Sequence, residues 1–139
     1  MNDSKSLREI DYDLPNGFHD AHLEVVTINF ASNSAELTLE LWVGDLNAET
    51  EEEIEVYRRA KLCLADLVYF VIDPPGAGYA PPLGGLLWID AGDATDESNS
   101  EHLKPRSELP DDAFAYWFWV GPWNSHFHVA AKGASLEWL

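Results

Sequence analysis

The sequence has one cysteine, Cys63, and one methionine among its 139 residues. A single cysteine cannot close an internal disulfide, which excludes the disulfide-stapled secreted class and favours a reducing cytoplasm. Basic residues are also scarce, with 8 Lys and Arg against 25 Asp and Glu, so the formal net charge is −17. Because phosphate and anionic lipid surfaces are bound by Lys and Arg clusters, this balance argues against nucleic acid and membrane partners.

Long hydrophobic runs are missing as well. The longest apolar stretches are "LCLA", "LVYFVI" and "FAYWFWV", far short of the roughly 20 residues that cross a bilayer. The opening "MNDSKSLREIDYDLP" has no apolar core, so we expect no signal peptide and a cytoplasmic protein. The length predicts a single domain over residues 1–139, with 1–14 a poorly ordered lead-in and 91–113 a mobile loop.

Alternation of apolar and polar residues predicts a mainly β fold. In "AELTLELWV", Leu37, Leu39 and Leu41 share one face and polar residues share the other, so 22–43 is predicted to be a hairpin. Further extended stretches occur at 56–72, 86–90, 114–120 and 126–133. About six or seven strands favour an antiparallel sandwich or a partly open barrel.

Residues 51–66 admit a second interpretation. Thr50 and Glu53 have the spacing of a capping box, and apolar residues follow at helical intervals. A helix near 51–66 would make the fold α+β. The strand interpretation is favoured, because 67–72 is rich in β-branched and aromatic residues.

The histidines suggest one candidate metal site. In an extended segment, residues i and i+2 share a face, so Asp20 pairs with His22 and His126 pairs with His128, while His19 points away. Imidazoles and a carboxylate are the ligand types of zinc sites. If the first and last strands met, these four side chains would bind zinc. The alternative is a polar turn that enters a strand.

Candidate partner contacts lie in the acidic part of the chain. Trp42 is predicted to share a strand face with Glu40, and an exposed Trp among carboxylates resembles an interaction hot spot. The acidic block that follows contains Glu51, Glu52 and Glu53. Such a surface would steer a basic protein toward it, although acidic surfaces also serve solubility.

Two short segments carry a family resemblance. "GFHDAHL" at 17–23 and "FHVAAKGASLEW" at 127–138 resemble the ends of small uncharacterised bacterial "FHDA" proteins, some of which are assigned as immunity proteins of polymorphic toxin systems. The resemblance implies a small β-rich cytoplasmic protein with no catalytic residues to carry over. The resemblance also fits the negative charge, since immunity proteins often bind basic nuclease toxins.

The sequence therefore favours a non-enzymatic protein-binding module. More specifically, it favours an immunity protein that neutralises a basic toxin. No catalytic set, Walker-type loop or G-x-S-x-G motif is present. No cofactor is expected under this interpretation, and a homo-oligomer is compatible with it. The alternative is a metal-binding protein or metal-dependent hydrolase that uses the paired histidines with zinc.

Overall fold

A computed structural model of the chain describes residues 4–76, 87–93 and 108–139. Within them, six antiparallel strands form one closed barrel, in the order β1-β2-β3-β6-β5-β4. The strands are β1 (Ala21–Asn29), β2 (Ser34–Trp42), β3 (Tyr57–Ile72), β4 (Leu87–Asp93), β5 (Phe114–Val120) and β6 (Ser125–Trp138). The prediction of a mainly β antiparallel fold is confirmed, and the chain adopts a barrel that is closed rather than partly open.

Pairing between β4 and β1 closes the barrel. Ala21 lies opposite Ile89, and Leu23 lies opposite Leu87. A closed sheet leaves no strand edge free for further pairing. The longest strands, β3 and β6, pair from Ala60 to Ile72 with one register shift.

The hairpin predicted at 22–43 forms from β1 and β2, which pair antiparallel. The alternation of β2 sets its two faces, because Leu37, Leu39 and Leu41 are fully buried while Glu36 is exposed. This alternation fixes the register, since a slip of one residue would turn the leucines toward water.

Residues 51–66 divide between the two interpretations. A single helical turn, α2 (Glu51–Ile54), begins at Thr50, whose side chain accepts a hydrogen bond from Glu53 N. The chain then enters β3 at Tyr57. Thr50 therefore caps a helix, as its spacing from Glu53 predicts. The alternative prediction of a helix over about 51–66 is wrong, because the backbone is extended from Tyr57 onward, where it pairs with β2.

The expectation of a poorly ordered lead-in at 1–14 is wrong for its described part. Helix α1 (Leu7–Asp13) begins at Ser6 with a capping box, in which Glu9 N donates to Ser6 Oγ and Ser6 N donates to Glu9 Oε1. Leu7 and Ile10 are buried in the barrel core. The helix is ordered because these two apolar side chains, three positions apart, lie on one face.

Aromatic rings fill the centre of the core. Phe118 packs edge-on against Phe18 (ring centroids 5.3 Å apart) and stacks on Phe127 (4.6 Å). Phe18 comes from the turn before β1, so three separate segments of the chain meet in this cluster.

Two internal stretches of the chain, 77–86 and 94–107, lie outside the described residues. The first includes most of the Pro- and Gly-rich stretch 73–85. The second includes most of the predicted mobile loop 91–113. Residues 91–93 of that predicted loop belong instead to β4, where they pair with β5. In the described part of the chain, no helix has both the length and the apolar character needed to span a membrane.

Candidate functional site

An acidic segment connects β2 to β3. It comprises residues 45–55, and we use the name acidic segment for this range. It contains six carboxylates and no basic residue. All six carboxylate side chains are exposed: Asp45, Glu49, Glu51, Glu52, Glu53 and Glu55. Acidic residues at Glu51–Glu53 suit the first turn of α2, because the N-terminal end of a helix favours negative charge.

Hydrogen bonds hold this segment against the barrel. Trp42 Nε1 donates to the carbonyl of Ile54 (2.6 Å), and Val43 N donates to the carbonyl of Val56 (2.8 Å). Asp45 N donates to the carbonyl of Glu53 (3.2 Å). Gly44 passes so close to the Ile54 carbonyl that any Cβ there would collide with it. The carboxylates therefore stand on a fixed frame rather than on a freely moving loop.

A side chain from the turn before β1 supports the same frame. Asn16 Nδ2 donates to the carbonyls of Trp42 (3.2 Å) and Gly44 (2.9 Å). These are the last residue of β2 and the residue that approaches α2. The start of the acidic segment is thus tied to a second part of the chain.

The structure alters the role predicted for Trp42. Its side chain is half-buried rather than exposed, and its indole N–H donates to the carbonyl of Ile54. The centroid of its ring lies 5.9 Å from that of the His19 ring. Glu40 is also half-buried, whereas Glu51, Glu52 and Glu53 are exposed. Trp42 thus acts as the support of the acidic segment, and the three glutamates stay predicted partner contacts.

The carboxylates of the acidic segment have no counter-charge within the described part of the chain. Between described residues, no ion pair includes any of them. Five basic side chains of the described residues contact other groups, in the pairs Lys5–Asp13, Arg59–Glu24, Lys61–Glu36 and Lys132–Asp112 and in the contact of Arg58 with the Trp138 ring. The negative charge of this surface is therefore left for solvent ions or a partner.

The four predicted metal ligands do not come together. His22 stacks on Tyr57 (ring centroids 4.4 Å apart), whereas His128 is buried and its Nε2 donates to Asp73 Oδ2 (3.2 Å). His22 lies on β1 and His128 on β6, strands that are not neighbours in the barrel. Among the described residues, the group of three ligand-type side chains that does assemble is His19, Asp20 and Asp90.

His19 and Asp20 meet because the chain is not extended there. Asp20 has a left-handed backbone (φ 54°), and β1 begins only at Ala21, so the i, i+2 rule does not apply. His19 Nδ1 donates to Asp90 Oδ1 (2.7 Å), and His19 Nε2 lies 3.5 Å from Asp20 Oδ2. The separation of His19 from Asp20 inferred from spacing is therefore wrong.

Two other polar groups near this region have unusual surroundings. His22 Nδ1 is buried without a hydrogen-bond partner among the described residues. Burial raises the pKa of the Tyr57 hydroxyl, and the charge of Asp20 raises it further. Tyr57 therefore lies in acidic, partly dehydrated surroundings, and His22 stacks on its ring.

The remaining histidine, His126, lies between two indoles. The rings of Trp117 and Trp119 both meet it edge-on, with centroids 4.9 Å away. Burial lowers the pKa of His126 below its ordinary value of 6.5, His128 lowers it further and Asp73 opposes them. Folding therefore disfavours the protonated imidazole.

This depressed pKa predicts a loss of stability in mild acid. Below pH 6.5 the unfolded chain binds a proton at His126 more readily than the folded chain, so the free energy of unfolding falls as pH drops. His126→Gln should remove this part of the pH dependence. Urea denaturation between about pH 7.5 and pH 5.5 tests it, and parallel curves for the two proteins would contradict it.

Cys63 has the environment of a strand residue. Burial raises the pKa of its thiol, Glu36 raises it further and Lys61 opposes them. The thiolate is the reactive form of cysteine, so these surroundings do not activate Cys63 as a nucleophile.

Comparison of the chain with family models, curated proteins and solved structures finds no match. The resemblance of residues 17–23 and 127–138 to "FHDA" proteins stays a prediction. The surfaces with the most charged and ligand-type side chains are the acidic segment and the group formed by His19, Asp20 and Asp90.

Proposed function

We propose that this chain is a non-enzymatic protein-binding module that binds a basic protein through the acidic segment. The observation that carries the proposal is the set of six exposed carboxylates, none of them in an ion pair with another described residue. Complementary basic groups on a partner would supply the missing counter-charges. Charged groups arranged in this way favour fast encounter and exclude partners of like charge.

The fixed backbone of the acidic segment supports binding rather than solubility alone. Solubility needs only negative charge at the surface, whatever its arrangement. A frame held by Trp42, Gly44 and Asn16 keeps the backbone that carries the carboxylates in place before a partner arrives. Preorganisation of this kind lowers the ordering entropy lost on binding.

The overall charge acts over a longer range than these contacts. With a net charge of −17, the whole chain attracts a basic protein before the surfaces touch. The specific form that we propose for the partner is a basic toxin, which the chain would neutralise as an immunity protein. Support for this form comes from the "FHDA" resemblance together with the charge.

The experiment is to measure binding of the purified chain to the product of the neighbouring gene, and cell growth when the two are co-expressed. We expect a complex that weakens steeply with added salt, and relief of any toxicity of the partner. A chain that associates with no basic protein, or does so equally at low and high salt, contradicts the proposal.

Trp42 gives a test of the frame that leaves the charge unchanged. Trp42→Phe keeps a half-buried ring but removes the indole N–H that bonds the Ile54 carbonyl. We expect faster amide hydrogen exchange at Glu53 and Val43, and affinity for the partner lowered about 3- to 10-fold because order must be gained on binding.

A matched substitution controls for loss of a tryptophan. Trp117→Phe changes the same side chain at a position on β5 outside the acidic segment. It should leave both the exchange rates of the acidic segment and the affinity unchanged. Equal effects of the two substitutions would show that the frame at Trp42 does not matter for binding.

A further inference from the structure

A second kind of site lies at the start of β1 and does not depend on the proposed function. It is the His19 cluster, by which we mean His19, Asp20 and Asp90. One ligand atom from each of these residues lies within 4.8 Å of the others. The cluster joins positions about 70 residues apart in the chain and is accessible, since 62% of the His19 side chain is exposed.

Strand pairing fixes the two carboxylates relative to each other. Ala21 pairs with Ile89, which brings the preceding Asp20 beside the following Asp90. The amide of Asp20 donates to Asp90 Oδ1 (3.1 Å) and so orients that carboxylate. In metal sites, hydrogen bonds of this type orient the ligating carboxylates.

The separations suit a shared ion after a small movement. Nitrogen and oxygen ligands lie about 2.1 Å from zinc and therefore roughly 3.0–3.4 Å from one another. The Nδ1 of His19 is already 2.7 Å from Asp90 Oδ1, and its other nitrogen is 3.5 Å from Asp20 Oδ2. Rotation of the exposed imidazole would let one nitrogen face an ion together with both carboxylates.

The local charge also favours a cation. Between described residues, the ion pairs of Asp20 and Asp90 involve only His19 and no Lys or Arg. A divalent ion would bind where two carboxylates face a single imidazole.

We propose that the His19 cluster binds one divalent transition-metal ion, with zinc as the representative. The imidazole selects for zinc-like ions over magnesium and calcium, which prefer oxygen ligands alone. Three protein ligands leave the remaining positions to water. This ligand set differs from the four residues expected from spacing, since it shares only Asp20 with them.

Isothermal titration of the full chain with zinc chloride, on protein made without a histidine tag, tests the site. We expect one zinc per chain in the wild type. His19→Gln and Asp90→Asn should each weaken zinc binding at least about 10-fold, the lower end of the loss known for residues that merely support metal ligands. Magnesium should bind more weakly than zinc in the same titration.

Two further variants make the outcome decisive. Asp20→Asn keeps a residue type that accepts the left-handed backbone and removes one carboxylate, so it should weaken zinc binding without unfolding the chain. His126→Gln removes a histidine outside the cluster and should leave zinc affinity within about 2-fold of wild type. The proposal is overturned by an absence of saturable zinc binding, by binding that survives His19→Gln and Asp90→Asn, or by binding lost in His126→Gln.

Discussion

Replacing Phe118 with alanine is expected to lower the free energy of unfolding by about 3–5 kcal/mol. The side chain is fully buried and contacts Phe18, Tyr116 and Phe127, with ring centroids 4.6 to 5.3 Å apart. Its removal would leave a cavity where the turn before β1, strand β5 and strand β6 meet. Urea denaturation followed by circular dichroism measures the loss.

The chain offers a matched control for this substitution. Phe30 follows β1 and is 88% exposed, so Phe30→Ala removes the same atoms from the surface instead of the core. Its effect should stay within about 0.5 kcal/mol. Equal destabilisation by Phe118→Ala and Phe30→Ala would show that Phe118 does not lie in the core of the barrel.

The second large effect is expected on binding. Changing Glu51, Glu52 and Glu53 together to glutamine removes three exposed charges from the acidic segment. An exposed ion pair contributes about 0.2–1 kcal/mol, so the loss of three should weaken the affinity for a basic partner by about 0.6–3 kcal/mol, or roughly 3- to 150-fold. Surface plasmon resonance against the purified partner measures the change.

A control variant distinguishes the effect of where the charges lie from the effect of how many are removed. Glu108, Asp111 and Glu137 are also exposed but lie outside the acidic segment. Their replacement by the corresponding amides removes the same number of charges and should change affinity much less. Equal losses in the two triple variants would mean that net charge alone attracts the partner and that the acidic segment is no binding surface.

Local patterns predicted the strands well because each carries its own signal. The alternation in β2 identifies Leu37, Leu39 and Leu41 as core residues, and "FAYWFWV" coincides with β5. Closure of the barrel could not be predicted in this way. It depends on the pairing of β1 with β4, whose residues Ala21 and Ile89 are far apart in sequence.

Helix α1 was missed although its signal was present. Ser6 and Glu9 have capping-box spacing, and Leu7 and Ile10 provide an apolar face. The prediction of a poorly ordered lead-in at 1–14 takes neither feature into account. At Thr50 the same kind of signal was noticed, but there it begins only one helical turn.

The His19 cluster shows where reasoning from spacing fails. The rule that i and i+2 share a face holds inside a strand, and Asp20 has a left-handed backbone just before β1 begins. Its second carboxylate, Asp90, comes from a strand about 70 residues away. Since Asp tolerates the left-handed conformation better than most residues, an Asp before a predicted strand is the one local sign of such a turn.

Attraction of a basic protein by the acidic segment is best tested by the association rate constant at two salt concentrations. Stopped-flow measurements with the wild type should show a rate that falls at least about 10-fold between low and high salt, because screening removes long-range attraction. The variant with Glu51, Glu52 and Glu53 changed to glutamine should show a shallower fall. A wild-type association rate that does not change with salt would show that electrostatic attraction does not bring the two proteins together.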